Sequence, residues 1–218
     1  MNKIKKQKAR IDNLEPIVIN LEPLPRKPYS SCKSISSIVS LLPIVTVKMK
    51  NQSLQSKAKK IKLLLLDVDG VLTDGTIILD NQGNELKAFH VRDGHGIKLA
   101  QRAGIILGII TGRKSEVVNI RARELGIEEV HQGAHRKIEV YESVIAKYGF
   151  RDDDVAYMGD DIVDVDVFKR VGMAVTVSDA DPSVRPHVDM ITKTEGGRGA
   201  VRELINFLLK SQGKLPSA

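Results

Sequence analysis

Apolar and polar positions divide this chain into two stretches of different character. Up to about residue 60 there is no sustained period. Lys, Ser and Pro recur, and the apolar run Ile35 to Val47 is interspersed with Ser and broken by Pro43. From Ile61 onward short apolar runs alternate with segments of helical period. Ile61–Leu66, Ile105–Ile110, Glu129–His131, Val155–Met158, Met173–Val177 and Met190–Thr192 read as strands. Gly94–Arg102, Ser115–Leu125, Arg136–Tyr148, Ile162–Val171 and Gly199–Lys210 read as helices, three of them closed by Gly126, Gly149 and Gly172. Gly75–Leu79 and Glu85–His90 flank Asp80-Asn81-Gln82-Gly83-Asn84, a hairpin signal. Regular βα alternation predicts an α/β fold, a parallel sheet flanked by helices with one β-hairpin insertion.

Charge sharpens the boundary. The 218 residues carry a net +7. Residues 1–48 hold nine Lys/Arg against three acids, and the remainder holds 25 against 24. The basic surplus therefore belongs to the leader, and the domain lacks the footprint of a nucleic-acid binder. Residues 1–60 read as a basic, disordered extension and residues 61–218 as the folded domain. Met49 is the expected natural start, because the composition changes there. Acids at 12, 15 and 22 argue against an organelle transit peptide. A single Cys, Cys32, permits no disulfide within one chain, which fits a reducing, cytoplasmic compartment. No stretch reaches the roughly 18–20 apolar residues of a membrane span, so neither membrane nor nucleic acid is an expected partner.

The candidate chemistry begins where the first strand ends. Asp67-Val68-Asp69-Gly70 follows the four leucines 63–66. Residues i and i+2 of an extended chain point the same way, so both carboxylates can face one substrate. One can attack while the other manages protons. A turn or calcium loop is the bland alternative, but Val71-Leu72-Thr73 is too apolar for that loop. The second strand ends in Thr111-Gly112-Arg113, a possible anion cradle, though Thr-Gly is also an ordinary helix preamble. Lys137 near the next helix start is a phosphate partner or a plain surface lysine. Gly159-Asp160-Asp161-Ile162-Val163-Asp164 sets three acids in five residues, which suits Mg²⁺ better than helix capping alone.

These four segments together resemble the haloacid dehalogenase superfamily of phosphohydrolases, over residues 61 to the C-terminus. The resemblance implies a Rossmann-like domain with Asp67 as nucleophile and Asp69 as general acid and base. It implies Mg²⁺ on Asp67, the Asp69 carbonyl and Asp160, with Asp161 and Asp164 behind them. Thr111, Gly112 and Lys137 would hold the phosphoryl group. Only 44 positions separate Asp67 from Thr111, so no cap domain is expected.

Asp67-Val-Asp-Gly-Val-Leu-Thr-Asp-Gly75, Val91-Arg-Asp-Gly94, Ile110-Thr-Gly-Arg113 and Gly196-Gly-Arg-Gly-Ala-Val-Arg-Glu203 look most like the 3-deoxy-D-manno-octulosonate 8-phosphate (KDO 8-phosphate) phosphatase family. That resemblance implies a sugar-acid phosphate substrate, a role in lipopolysaccharide inner-core synthesis, and a homotetramer built through hairpins 75–90. It further implies a lid from 196–218 hinged at the glycines, and substrate contacts from Arg92, Arg113 and Arg198. His95 is a further possible substrate contact. The alternative is a sialic-acid-type 9-phosphate phosphatase of the same architecture. A non-enzymatic partner-binding domain is disfavoured, because Asp67 and Asp160 are both present.

Overall fold

The computed structural model describes residues 54–216. The extension read over 1–53, with its Met49 start, lies outside these residues. Strands β1 (Leu63–Leu66), β4 (Ile106–Thr111), β5 (Glu129–Gln132), β6 (Val155–Gly159), β7 (Met173–Thr176) and β8 (Met190–Ile191) form one parallel sheet in the order β5-β4-β1-β6-β7-β8. A separate antiparallel hairpin pairs β2 (Ile78–Leu79) with β3 (Glu85–Leu86). The parallel α/β fold and its hairpin insertion are as the apolar pattern predicts.

The four leucines of β1 are wholly buried, as befits a central strand covered on both faces. β1 pairs with β4 on one side and β6 on the other, and chain order runs outward from it both ways. β1 is therefore the topological switch point, and a crevice opens beyond its carboxyl end.

Several boundaries differ from the sequence reading. Residues 54–60, read as part of the extension, are helical (α1), with Ala58 fully buried. Helix α2 spans Val91–Arg102, starting earlier than Gly94, because the His90 side chain accepts a hydrogen bond from the Arg92 N–H. Helices α3 (Glu116–Leu125) and α4 (Lys137–Tyr148) end at Gly126 and Gly149 in the left-handed conformation, as expected. The helix expected over 162–171 is a 3₁₀ turn, Ile162–Asp164, followed by the short α5, Val165–Phe168. Asp161 and Asp164 turn that segment back on itself by capping it reciprocally.

The largest correction concerns the C-terminal segment. Helix α6 (Ala200–Ser211) buries Ala200, Val201, Leu204, Ile205, Leu208 and Leu209 completely. It packs against α2, where a Cβ on Gly96 would stand 2.9 Å from the Arg202 side chain. Asp93 of α2 caps α6 in turn, accepting from the Arg202 N–H at 2.7 Å. Residues 200–211 are thus a core helix of their own domain.

The glycine strap before α6 is also not an open hinge. Gly197 donates its N–H to the Val71 carbonyl at 2.9 Å. A Cβ on Gly196 would lie 1.8 Å from the Gly70 carbonyl oxygen. The strap lies on the loop that follows β1, and only bare backbone fits there.

Candidate active site

The site forms where β1, β4 and β6 end together. β1 runs into Asp67, whose N–H bonds the Met158 carbonyl at 2.9 Å, carrying the sheet pattern one residue past the strand. Gly70 then turns with φ +83°, and a Cβ there would meet Asp160 at 2.0 Å. This glycine lets the loops after β1 and β6 approach closely.

A cavity of about 380 Å³ opens on these strand ends. Asp67, Asp69, Gly70, Thr111, Gly112, Arg113, Lys137, Asp160 and Asp161 all line it. The four sequence segments, separated by up to 97 positions between Asp67 and Asp164, thus converge. Of the arginines expected to contact substrate, only Arg113 lines the cavity. Arg92 is exposed on the first turn of α2, and Arg198 pairs with Asp74 at 3.2 Å on the surface. His95 is likewise exposed on α2, away from the cavity lining.

At the floor sits a buried charge cluster. Lys137, the first residue of α4, is 4 % exposed, so the surface-lysine alternative fails. Its ammonium bonds Asp67 and, at 2.6 Å, Asp164. Burial pushes this ammonium's pKa down, but the two carboxylates outweigh it and hold the pKa above its ordinary value. Asp67 also accepts from the Val68 N–H at 2.6 Å. Burial raises the Asp67 pKa to about 6; the Lys137 charge restrains the rise and the Asp164 charge adds to it.

Asp164 is fully buried and uses both oxygens within the protein. One accepts from Lys137 and the Tyr157 hydroxyl, the other from the N–H groups of Asp160 and Asp161. It organises the loop after β6 and has little capacity left for a direct metal bond. Asp161 caps Ile162 at 2.7 Å.

Oxygens of Asp67, Asp160 and Asp164 lie within 4.8 Å of one another. Asp160 is the strained member. Burial, then the negative charges of Asp67 and Asp164, raise its pKa to about 8. Carboxylates crowded this way accept a hard divalent cation readily, because the cation removes the repulsion. The donor set therefore fits Mg²⁺, with Asp67 and Asp160 as the side chains able to hold it.

The sequence reading missed several residues here. His135 and Val163 also line the cavity. More telling, Lys87 reaches back from the hairpin to pair with Asp69 and with Glu85, and Glu85 pairs with Arg113 at 2.6 Å. The signal available was Glu85-Leu86-Lys87, whose alternation turns two charges toward one side and a leucine toward the other.

Comparison with known proteins agrees with this geometry. A family model described as haloacid dehalogenase-like hydrolase matches residues 116–205. The 3-deoxy-D-manno-octulosonate 8-phosphate phosphatase KdsC of Escherichia coli K12 is 48% identical over 163 residues, covering 75% of this chain and 87% of that protein. The crystal structure of the Yersinia pestis phosphatase of the same name superposes with a TM-score of 0.74 at 44% identity, covering 75% of this chain and 88% of that one. The Moraxella catarrhalis enzyme, crystallised with magnesium, phosphate and KDO, gives 0.72 at 42% identity, covering 73% of this chain and 92% of that one. With its strand-end carboxylates, buried lysine and hairpin in place of a cap, the chain belongs to the haloacid dehalogenase-like hydrolases, within the family of the KDO 8-phosphate phosphatases.

Proposed function

We infer that this protein is a Mg²⁺-dependent phosphomonoesterase that hydrolyses KDO 8-phosphate to KDO and inorganic phosphate. The observation that carries the reaction type is the clamped Asp67, held by the Val68 N–H and Lys137 at the mouth of β1. The substrate rests on the identity to the KDO 8-phosphate phosphatases. In the cell, the reading places it in the cytoplasm, at a step of lipopolysaccharide inner-core synthesis.

The chemistry follows from the placement of the side chains. An Asp67 oxygen attacks phosphorus, and the bond from phosphorus to the sugar O8 breaks. Asp69, two residues on and lining the same cavity, delivers a proton to that leaving oxygen. Asp69 then takes a proton from the water that attacks the aspartyl-phosphate, and Asp67 is regenerated as inorganic phosphate departs. The Lys137 ammonium and the Thr111 and Gly112 turn hold the phosphoryl oxygens. Phosphoryl transfer demands mainly such positioning and charge neutralisation. Mg²⁺, held by Asp67 and Asp160, supplies positive charge for the transferring group. Arg113 is the cation placed to meet the sugar carboxylate.

The hairpin supports a homotetramer. Ile77 and Leu79 are each 59% exposed and Leu86 58%, on a ribbon with no further sheet partner among the described residues. A second copy covering these side chains is the assembly the family resemblance implies.

The testing experiment is phosphate release from KDO 8-phosphate with and without chelator. Activity vanishes on chelation and returns with Mg²⁺; unchanged activity in excess chelator would remove the metal from the account. The pH dependence of Mg²⁺ binding has a fixed sign. Asp160 carries its proton up to about pH 8 when no cation is bound. Proton and cation compete for the same oxygens, so affinity rises by up to about tenfold per pH unit from pH 6 to 8 and levels off above. Titration calorimetry that finds affinity falling over that range would contradict the assignment of Asp160.

A further inference from the structure

Lys87 is an odd residue for an exposed hairpin. Its neighbour Leu86 is 58% exposed, yet the Lys87 side chain is only 1% exposed. Its ammonium pairs with Asp69 and lies 3.4 Å from a Glu85 oxygen. Glu85 is bonded in turn by Arg113 at 2.6 Å. Asp69, Lys87, Glu85 and Arg113 thus form a line of alternating charges. Its members come from the loop after β1, the hairpin and the loop after β4. A lysine buried this far surrenders its hydration and side-chain freedom, and recovers them only through fixed partners.

We propose that Lys87 is a positioning residue for Asp69, fixing the carboxylate that manages protons so that it faces the oxygen of the breaking phosphate ester. The proposal rests on the reading of Asp69 as general acid and base, and extends it. The case is geometric. Asp69 stands at the rim of an open cavity, its side chain 24% exposed, whereas Asp67 is clamped by Lys137 and the Val68 N–H. Lys87 is the cation that holds it. Glu85 holds Lys87 from the other side, and Arg113 holds Glu85, so Asp69 inherits its orientation from two further elements. A proton-transfer group misplaced by about 1 Å loses on the order of 100-fold in rate. Lys87 itself need touch neither the phosphoryl group nor the sugar.

The arrangement also ties catalysis to the ribbon that carries the apolar residues 77–79 and 86. A change that moves β3 moves Lys87 with it, and frees Asp69 without touching the floor of the site.

The test uses the full chain and two substrates that differ in how much they need the acid. KDO 8-phosphate expels a sugar alkoxide, which requires a proton. p-Nitrophenyl phosphate expels a stable phenolate, which does not. The readout is kcat/KM, which for this two-step mechanism reports events up to cleavage of the ester. Lys87→Met lowers kcat/KM by about 100-fold on KDO 8-phosphate and by less than about threefold on p-nitrophenyl phosphate. Lys87→Arg restores at least about tenfold of the loss on KDO 8-phosphate, because it returns a cation to the same pair of carboxylates. Asp69→Asn shows the same leaving-group contrast, and the double variant is no worse than Asp69→Asn alone, as expected for residues acting as a unit.

Equal losses on both substrates, or losses that simply multiply in the double variant, would show that Lys87 serves only the hairpin's fold and would overturn the proposal. Absence of the contrast in Asp69→Asn would overturn the reading of Asp69 itself, and the proposal with it. A contrast present in Asp69→Asn but missing in Lys87→Met would sink the proposal alone.

Discussion

Asp67→Asn abolishes turnover of KDO 8-phosphate, by roughly four orders of magnitude or more, while the protein stays folded. The magnitude follows from what the amide lacks. It cannot attack phosphorus as a carboxylate does, and loss of a covalent nucleophile typically costs about this much or more. The retained fold follows from the cluster around it. Asn keeps the shape of Asp and an oxygen able to accept from the Val68 N–H, which bonds Asp67 at 2.6 Å. Lys137 keeps its second carboxylate, Asp164, at 2.6 Å. The substitution also removes one of the negative charges that, together with burial, raise the Asp160 pKa to about 8, so metal-free stability does not fall on electrostatic grounds. The check is a steady-state assay beside a thermal melt. Appreciable activity in a well-folded variant would refute the nucleophile assignment.

Truncation before the glycine strap has an equally large effect, on folding. A chain ending at Glu195 loses α6 with Val201, Leu204, Ile205, Leu208 and Leu209, all fully buried. At about 1.5–3 kcal/mol for each buried aliphatic side chain, these five contribute roughly 8–15 kcal/mol. Total stability of a domain this size is typically about 5–15 kcal/mol, so the truncated chain should not fold. Loss of the Asp93 cap on the Arg202 N–H leaves a further buried carboxylate unpartnered. Circular dichroism with no cooperative transition is the expected result. A cooperative melt with impaired turnover would instead revive the strap as the hinge of a lid. Removing only the residues after Ser211 should leave the fold intact.

The parts of the molecule that the sequence discloses are those governed by local pattern. Uninterrupted burial writes β1 as four leucines, and left-handed glycines mark the ends of α3 and α4. The catalytic segments are legible for a related reason. Each sits immediately after a strand, and the switch-point topology then brings strand ends together without further information. Lys137 is buried as the resemblance requires, although nothing in its local sequence distinguishes it from a surface lysine.

What the sequence conceals is tertiary. Glycine runs announce freedom, but Gly196 and Gly197 are glycine because the loop at Gly70 to Asp74 leaves no room for a Cβ. Amphipathic α6 could have faced a neighbouring subunit; its partner proves to be α2 of its own chain, through Gly96 and the Asp93 cap. Arg92 and Arg198 sit in segments that match the family, yet both stand outside the cavity of their own chain. Lys87 lies in the hairpin that the sequence marks, but only the alternation of Glu85-Leu86-Lys87 hints at the residue itself, because its importance depends on the hairpin folding back over Asp69. The 162–171 helix is shortened by Asp161 and Asp164, whose mutual capping serves the site before it serves helix length.

The substrate proposed for this phosphatase is an eight-carbon sugar-acid phosphate. The most direct measurement compares kcat/KM for KDO 8-phosphate with that for the 9-phosphates of N-acetylneuraminic acid and KDN, in the presence of Mg²⁺. A strong preference for KDO 8-phosphate is expected. Preference for either nine-carbon acid would contradict it, leaving the chemistry of Asp67 in place and assigning the site to a different sugar.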